Sequence, residues 1–371
     1  MPGARSTALM VLNRCFESGA WSQQTLNSAI EKLDKRDASL ASRLTLGVLQ
    51  NYMLLDYVID ALLTGKKRLD APVRNILRIG AYQILFSDRI PARAAVSESV
   101  ELCRASGFAS ACGLVNAVLR KLADGNVHLP DDLSVRYSHP KWFVDCMADR
   151  HGLPFTEALL AANNTEPPVD RHEAFKPGQT YVQDRAAYTA VEMASPQPGM
   201  RVLDACAAPG GKSFTAAVLM KNEGSILSCD IHEKKLSLIS EGAERLGISI
   251  LKTRCADAGC FLPELQEAFD LVIADVPCSG FGVIRKKPEI RMKSTEEIRR
   301  LPAVQKKIVD NVSRYVAPGG RLLYSTCTVF EEENEQIVHS ITGFEILQEK
   351  TFWPHLDGTD GFYACVLRKP G

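Results

Sequence analysis

Beyond Val182 the chain alternates short apolar runs with helical stretches, and this alternation admits little besides a doubly wound α/β sheet with parallel core strands. Strands are predicted near 201–205, 225–230, 249–254, 269–275, 320–326, 343–348 and 361–368. After the first comes Cys206-Ala207-Ala208-Pro209-Gly210-Gly211-Lys212-Ser213, a loop of small residues leading into a helix start. Small residues let the backbone approach a nucleotide-like ligand, and a helix N-terminus offers N–H donors to a carboxylate. Open sheets of this kind hold ligands at the carboxyl ends of their strands. Two cysteines are expected at such ends: Cys278 in Asp275-Val276-Pro277-Cys278 and Cys327 in Tyr324-Ser325-Thr326-Cys327-Thr328.

Residues from about Arg5 to Ala123 read differently, as helices almost throughout. Apolar residues recur at helical spacing, for example Leu40-Leu44-Val48-Leu49 and Leu54-Leu55-Val58-Ile59-Leu62, and breaks are expected at Gly19, Gly65, Ile90-Pro91 and Gly107. A polar linker spans Asp124 to Asp132, a further helical stretch opens at Tyr137-Ser138-His139-Pro140 and runs to about Asn163, and Pro167-Pro168 with Lys176-Pro177-Gly178 marks a second connector. The expected division is a helical domain over 1–127, a helical connector over 128–180 and a catalytic sheet domain over 181–371.

Formal net charge is zero over 371 residues, so any basic surface must be local. Residues 1–126 carry 16 Lys/Arg against 11 Asp/Glu, a modest excess consistent with phosphate contacts. The 11 cysteines include no CxxC pair, which argues against a disulfide framework or structural zinc and fits a reducing cytoplasm. The N-terminal stretch reads as an amphipathic helix rather than a secretory signal, and no run approaches a membrane span of about 20 apolar residues.

The loop from Cys206 to Ser213 differs from a P-loop only at its first position, and Leu271-Val272-Ile273-Ala274-Asp275 resembles the acidic strand of an ATPase, so a P-loop-like ATPase is one reading. Against it, Asp204, Asp230 and Asp257 end predicted strands or follow them closely. In a methyltransferase sheet an acid ending the second strand accepts from ribose hydroxyls, and one after the third lies near adenine. S-adenosyl-L-methionine meets all of these demands.

Two strand-end thiols beside such a cradle suit chemistry at carbon 5 of cytosine. That carbon is a poor nucleophile until a thiolate adds at carbon 6. The adduct then accepts a methyl group, and loss of the carbon 5 proton expels the thiol. A second thiol helps remove the proton or release product, and a nearby acid bonds the nitrogen edge of the base. Chemistry alone does not choose which cysteine attacks. Basic residues crowd the stretch after Cys278, namely Arg285, Lys286, Lys287, Arg291, Lys293, Arg299, Arg300, Lys306 and Lys307; they suit RNA phosphates, or else form a solvated helix face, and Phe281 reads either as a stacking partner for a base or as a packed aromatic.

Three segments, DACAAPGGKS, DVPCSGFGVIRKKPEIR and LLYSTCTVFEEENEQIV, resemble the signature blocks of the RNA 5-methylcytosine methyltransferase family, in that family's order. The run Leu69 to Gln83, with Arg89-Ile90-Pro91-Ala92 and Val115 to Arg120, resembles the NusB fold, an RNA-binding helical bundle. Together they are similar, nearly end to end, to the bacterial 16S rRNA cytosine-5 methyltransferases of the Sun/Fmu type. The resemblance implies a NusB-like bundle followed by a Rossmann-like methyltransferase sheet, S-adenosyl-L-methionine as cofactor, 16S rRNA as partner, a cytoplasmic monomer, and neither metal nor membrane. Carried onto this chain, it gives Cys327 as nucleophile and Cys278 as the product-release thiol. It gives cofactor contacts at Cys206, Ala207, Ala208, Pro209, Gly210, Gly211, Lys212, Asp230, Asp257 and Asp275, with Lys212 and Asp275 also near the base. A non-catalytic RNA-binding or ribosome-assembly factor with the same fold is the other alternative. One departure stands out: only 13 residues separate Pro168 from Val182, where the family has a longer segment that helps hold RNA.

Overall fold

The computed structural model describes residues 3–63, 69–125, 127–175 and 179–371. The break expected at Gly65 and the connector residues Lys176-Pro177-Gly178 lie outside the described residues. By its contacts the chain divides into two units, one of residues 1–165 with 284–292, the other of 166–283 with 293–371. The boundary at Thr165 thus falls inside the stretch read as a connector.

In the first unit, α1 (Ala4–Ser18), α2 (Ser22–Ile30), α3 (Lys35–Leu62), α4 (Ala71–Phe86), α5 (Ala92–Ala105) and α6 (Cys112–Ala123) enclose one apolar core. The helical spacing of Leu44, Val48, Leu55 and Ile59 turns one face of α3 inward, and all four are fully buried. Gly19 closes α1 in the left-handed region at φ 64°, Asp34 caps α3 by accepting from Asp37 N at 2.8 Å, and Pro91 opens α5, so two of the expected breaks have their physical causes. Two cations of the basic excess are spent internally: Arg78 meets Asp56 at 2.5 Å, and Arg74 meets Asp56 at 3.2 Å and Asp60 at 2.8 Å.

The short helices α7 (Leu133–Arg136), α8 (Lys141–His151) and α9 (Leu153–Ala162) complete this unit, together with the segment 284–292. That segment is basic in sequence, yet Arg291 is 2% exposed. Its guanidinium donates to Ile284 O at 3.1 Å, Asn164 Oδ1 at 2.7 Å and Asn163 O at 3.4 Å. Glu289 accepts from both Ser22 N (3.1 Å) and Ser22 Oγ (2.8 Å), placing a carboxylate at the N-terminus of α2 where the helix dipole favours it. The expectation of Arg291 and Arg285 as surface phosphate contacts is therefore corrected, since both are buried. Burial pushes the Arg291 guanidinium down to about 9 and, with Arg291 adding its charge, holds His139 well below the usual histidine range.

The second unit opens with a two-stranded antiparallel hairpin, Arg171–Glu173 against Thr180–Val182, in the span expected to be shortened. Then follow α10 (Arg185–Ala194), β1 (Arg201–Asp204), α11 (Gly211–Leu219), β2 (Ser225–Asp230), α12 (Glu233–Leu246), β3 (Leu251–Cys255), β4 (Phe269–Asp275), α13 (Thr295–Arg299), α14 (Leu301–Val312), β5 (Val316–Thr326), β6 (Glu345–Phe352) and β7 (Phe362–Arg368). Their order across the sheet is β3-β2-β1-β4-β5-β7-β6, with β7 antiparallel to both neighbours and the other pairs parallel. All seven strands lie where the apolar runs predict.

Alternation along each strand builds two cores. Val202, Leu271, Ile273, Leu323 and Val366 face the core that includes residues of α10, α11 and α12. Leu203, Val272, Ala274, Leu322 and Cys365 face the other, with Ile308, Val309 and Val312 of α14. Asp204, at the end of β1, is 1% exposed and accepts from Ser213 Oγ at 2.7 Å, and Ser213 Oγ lies 2.8 Å from Ser228 Oγ. Burial raises the Asp204 carboxyl from 3.8 to about 7.

Two outcomes are expected from these buried charges. Replacing Arg291 by Ala strips Ile284 O and Asn164 Oδ1 of this donor, leaves Asn163 O to Gln50 Nε2 alone, and should cost about 2–4 kcal/mol in denaturant unfolding of the first unit; an unchanged midpoint would show that the guanidinium is dispensable. For Asp204, the folded state binds the proton more tightly than the unfolded chain. Its stabilising contribution is thus full below about 3.8 and is lost as pH rises through about 7. Relative to Asp204→Asn, the wild type should lose up to about 4 kcal/mol of stability between pH 4 and pH 7, and parallel stability curves for the two proteins would refute this.

Candidate active site

Parallel pairing of β4 with β5 sets Asp275 opposite Ser325, so the chain leaves both strands at the same sheet edge. Val276 N donates to Ser325 O at 3.1 Å, and beyond that bond the two loops turn toward each other. Cys278 and Cys327 meet there with their sulfurs 3.1 Å apart. Both are half-buried. The contact with Cys327, followed by burial, holds the Cys278 thiol well above the usual cysteine range, which favours its protonated form.

Beside them Lys212 Nζ and Asp275 Oδ2 form an ion pair at 2.7 Å, with Ser325 Oγ donating to Asp275 Oδ1 at 2.8 Å. Burial opposes the Lys212 charge, but Asp275, Asp204 and Cys327 outweigh it and raise the ammonium above its ordinary value. Lys212 is thus committed to Asp275 and stays cationic. This pairing removes the lysine from the free role that a P-loop would require of it.

On the far side, Ala207 N donates to Cys229 O at 2.7 Å and Ala208 N to Asp230 Oδ2 at 3.3 Å, so the loop after β1 is tied to the end of β2. Gly210 caps α11 at φ 113°, where a Cβ would lie 2.5 Å from the Phe214 ring; no other residue fits. Asp230, 8% exposed, accepts from His232 N at 2.9 Å, and Asp257 stands exposed after β3 with Gly259 N donating to it at 2.8 Å. A cleft lined by Ala205, Cys229, Ala256, Asp257, Ala258 and Leu262 runs across the ends of β1, β2 and β3. Apolar walls with one carboxylate suit adenine and its amino group, and a second carboxylate at β2 suits ribose hydroxyls, so these residues fit S-adenosylmethionine. Cys206 lies in the loop itself, and burial raises its thiol, leaving it protonated.

The arrangement brings Lys212, Asp275, Cys278 and Cys327 together at the carboxyl ends of β1, β4 and β5. Other assignments change. Phe281 is 1% exposed and packs on Phe330 at 5.3 Å, so it is a core aromatic and not a base-stacking partner. Gly282 approaches Gly361 so closely that a Cβ would lie 1.8 Å from its carbonyl oxygen, and Gly282 N donates to Cys327 O at 3.0 Å. Among the described residues no group of three or more His, Cys, Asp or Glu side chains is arranged to hold a metal, and no helix is long and apolar enough to cross a membrane.

Sequence reasoning passed over Gln305, Glu333 and Asn334. Gln305 Nε2 donates to Pro277 O at 3.0 Å and to Glu333 Oε2 at 2.8 Å, and Ser279 N donates to the same oxygen at 2.8 Å. Thr326 Oγ1 donates to Asn334 Oδ1 at 2.5 Å, Asn334 Nδ2 donates to Thr328 O at 3.2 Å, and the hydroxyls of Ser279 and Thr328 lie 2.7 Å apart. Glu333 and Asn334 stand within the LLYSTCTVFEEENEQIV block, so the available signal was a polar, acidic run directly after a strand-end cysteine.

Comparison with known proteins gives the family. Residues 191–368 match the family described as 16S rRNA methyltransferase RsmB/F, and residues 2–124 match the NusB family. A Bacillus subtilis (strain 168) protein named probable ribosomal RNA small subunit methyltransferase B is 32% identical, with 99% of each chain covered. That alignment spans 441 positions against 371 residues here, so the relative carries segments this chain lacks. Ribosomal RNA small subunit methyltransferase B of Erwinia tasmaniensis is 29% identical, covering 100% of this chain and 99% of its own. The crystal structure of PH0851 superposes with a TM-score of 0.78 over 99% of both chains at 24% identity, which shows a shared fold. With a NusB-family region, a seven-stranded sheet and relatives aligned end to end, the chain belongs to the RsmB/F family of S-adenosylmethionine-dependent 16S rRNA methyltransferases.

Proposed function

We propose that this protein methylates carbon 5 of a cytosine in RNA, specifically in small-subunit ribosomal RNA, through a covalent adduct at carbon 6. The observation that carries the reading is the 3.1 Å approach of Cys278 and Cys327 beside the Lys212–Asp275 pair. S-adenosylmethionine, when bound, supplies an electrophilic methyl group. The Cys327 sulfur adds to carbon 6, and the displaced electron pair makes carbon 5 nucleophilic. Lys212 and Asp275 present one donor and one acceptor to the polar edge of the base and steady the charge that builds there. After methyl transfer, Cys278 gives its proton to the departing Cys327 sulfur, and the Cys278 thiolate so formed takes the carbon 5 proton, which restores the double bond and frees both cysteines as thiols.

The rRNA substrate is supported by the relatives, each named for the small ribosomal subunit. We read the NusB-like helices as an RNA-holding part, with Arg299, Arg300 and Lys307 as exposed cations free for phosphate contact near the thiol loops' own unit. A non-catalytic assembly factor would have no need of two thiols in contact. Bisulfite mapping of ribosomal RNA from cells with and without the protein should show one 5-methylcytosine lost; an unchanged map would reject the cytosine-5 reading.

Two further outcomes test the roles. Asp230→Ala should weaken S-adenosylmethionine binding by about 1.5–3 kcal/mol in calorimetry through lost charge-assisted hydrogen bonds, and unchanged affinity would remove Asp230 from the cradle. Cys327→Ala should abolish both methyl transfer and any covalent RNA complex. Cys278→Ala should instead accumulate a cofactor-dependent protein–RNA species that survives denaturing electrophoresis. The opposite pattern would exchange the two roles.

A further inference from the structure

We infer that the dipeptide Glu333-Asn334 is a positioning clamp that sets the spacing of the two active-site sulfurs, a role that rests on the thiol chemistry proposed above. The last ladder bond between β4 and β5 is Val276 N to Ser325 O, β5 pairs with β7 as far as Thr326, and Gly282 N holds the Cys327 carbonyl, so the sheet ladders end before both cysteines. The ladders alone do not fix the 3.1 Å spacing of the sulfurs.

The two peptide groups that flank Cys278 are gripped by one buried pair: Gln305 takes the Pro277 carbonyl, and Glu333 takes the Ser279 N–H. The next residue, Asn334, brackets Cys327 in the same way, through the Thr326 hydroxyl and the Thr328 carbonyl. Adjacent side chains of one dipeptide therefore anchor both thiol loops. The Ser279–Thr328 hydroxyl contact closes the ring between them. Glu333 and Asn334 are each 1% exposed, and Tyr324 OH donates to Glu333 O at 2.6 Å, which ties the dipeptide back to β5.

A carboxylate in this position is costly, because burial raises the Glu333 carboxyl and its Oε1 has no hydrogen-bond partner. An apolar residue would fill the space without that penalty. It would leave the Ser279 N–H without an acceptor and Gln305 without an orienting partner, and the Pro-Cys loop would lose its fixed point. Both side chains act through backbone and hydroxyl groups next to the sulfurs, so they position the thiols without reacting.

The test compares wild type, Glu333→Ala, Glu333→Gln and Asn334→Ala as full-length proteins. Oxidised glutathione probes the sulfur spacing: one thiolate attacks its disulfide and releases one glutathione, then the second protein thiolate displaces the other. This forms a Cys278–Cys327 bond and leaves two reduced glutathiones, with the linked tryptic peptide as readout. Glu333→Ala and Asn334→Ala should each slow the second, intramolecular step by about 100-fold and lower kcat by a similar factor. KM for RNA should stay within about threefold, because no substrate-binding group is removed. Glu333→Gln keeps an acceptor for Ser279 N–H and should recover coupling to within about tenfold of wild type. If Glu333→Ala fails to fold, Asn334→Ala and Glu333→Gln still carry the comparison. Folded variants that couple their thiols at the wild-type rate would overturn the clamp, whatever happens to kcat. Absence of 5-methylcytosine product in the wild type would instead reject the proposed reaction and leave the coupling result standing.

Discussion

The parallel pairing of β4 with β5 is the constraint on which the active site depends. Its register sets Asp275 beside Ser325, and both chains then run out of the sheet at one edge. A slip of one residue would turn every side chain to the opposite face. Val272 and Ala274 would exchange cores with Leu271 and Ile273, and since both cores are apolar it is the mismatch of side-chain volume that opposes the exchange. The geometry of the candidate site is thus inherited from core packing: two cysteines 49 residues apart in sequence meet because the strands before them are locked by burial.

Several polar groups buried around this edge are tied to neighbours on other elements. Lys212 at the start of α11 reaches Asp275 at the end of β4, Ser213 in the same turn reaches Asp204 at the end of β1, and Glu333 reaches across to Ser279 and Gln305. Each bond offsets desolvation of a charge and also fixes one loop against another. The cofactor side and the thiol side are joined in this way, since successive residues of one helical turn, Lys212 and Ser213, serve the two. In the first unit Arg291 has the corresponding part, gathering carbonyl and amide oxygens around a segment that in sequence lies between β4 and α13.

Much of this was legible in the sequence because it rests on local periodicity. Short apolar runs place all seven strands, helical spacing places α1 to α6, and the Gly210-Gly211 turn identifies the loop that only a glycine at φ 113° can make. The short hairpin at 171–173 and 180–182 escaped, being three residues a strand with too little alternation to register. Charge was the least reliable guide. Arg74, Arg78 and Arg291 look like surface cations in the sequence, and each is drawn inward by a partner that charge counting does not see.

By itself, then, the sequence determined the element types, the glycine loop after β1, the acids at the strand ends and the presence of two thiols at the carboxyl edge, because each depends on the conformational preference of a few adjacent residues. Only the tertiary structure decided that the sulfurs touch, that Lys212 is bound to Asp275, that residues 284–292 belong with the helices, and that Glu333 and Asn334 bracket the two cysteine loops. The reason is physical: a buried hydrogen bond or ion pair exists only where packing brings its partners within about 3 Å, and which groups packing brings together is a property of the whole fold and not of any window of sequence.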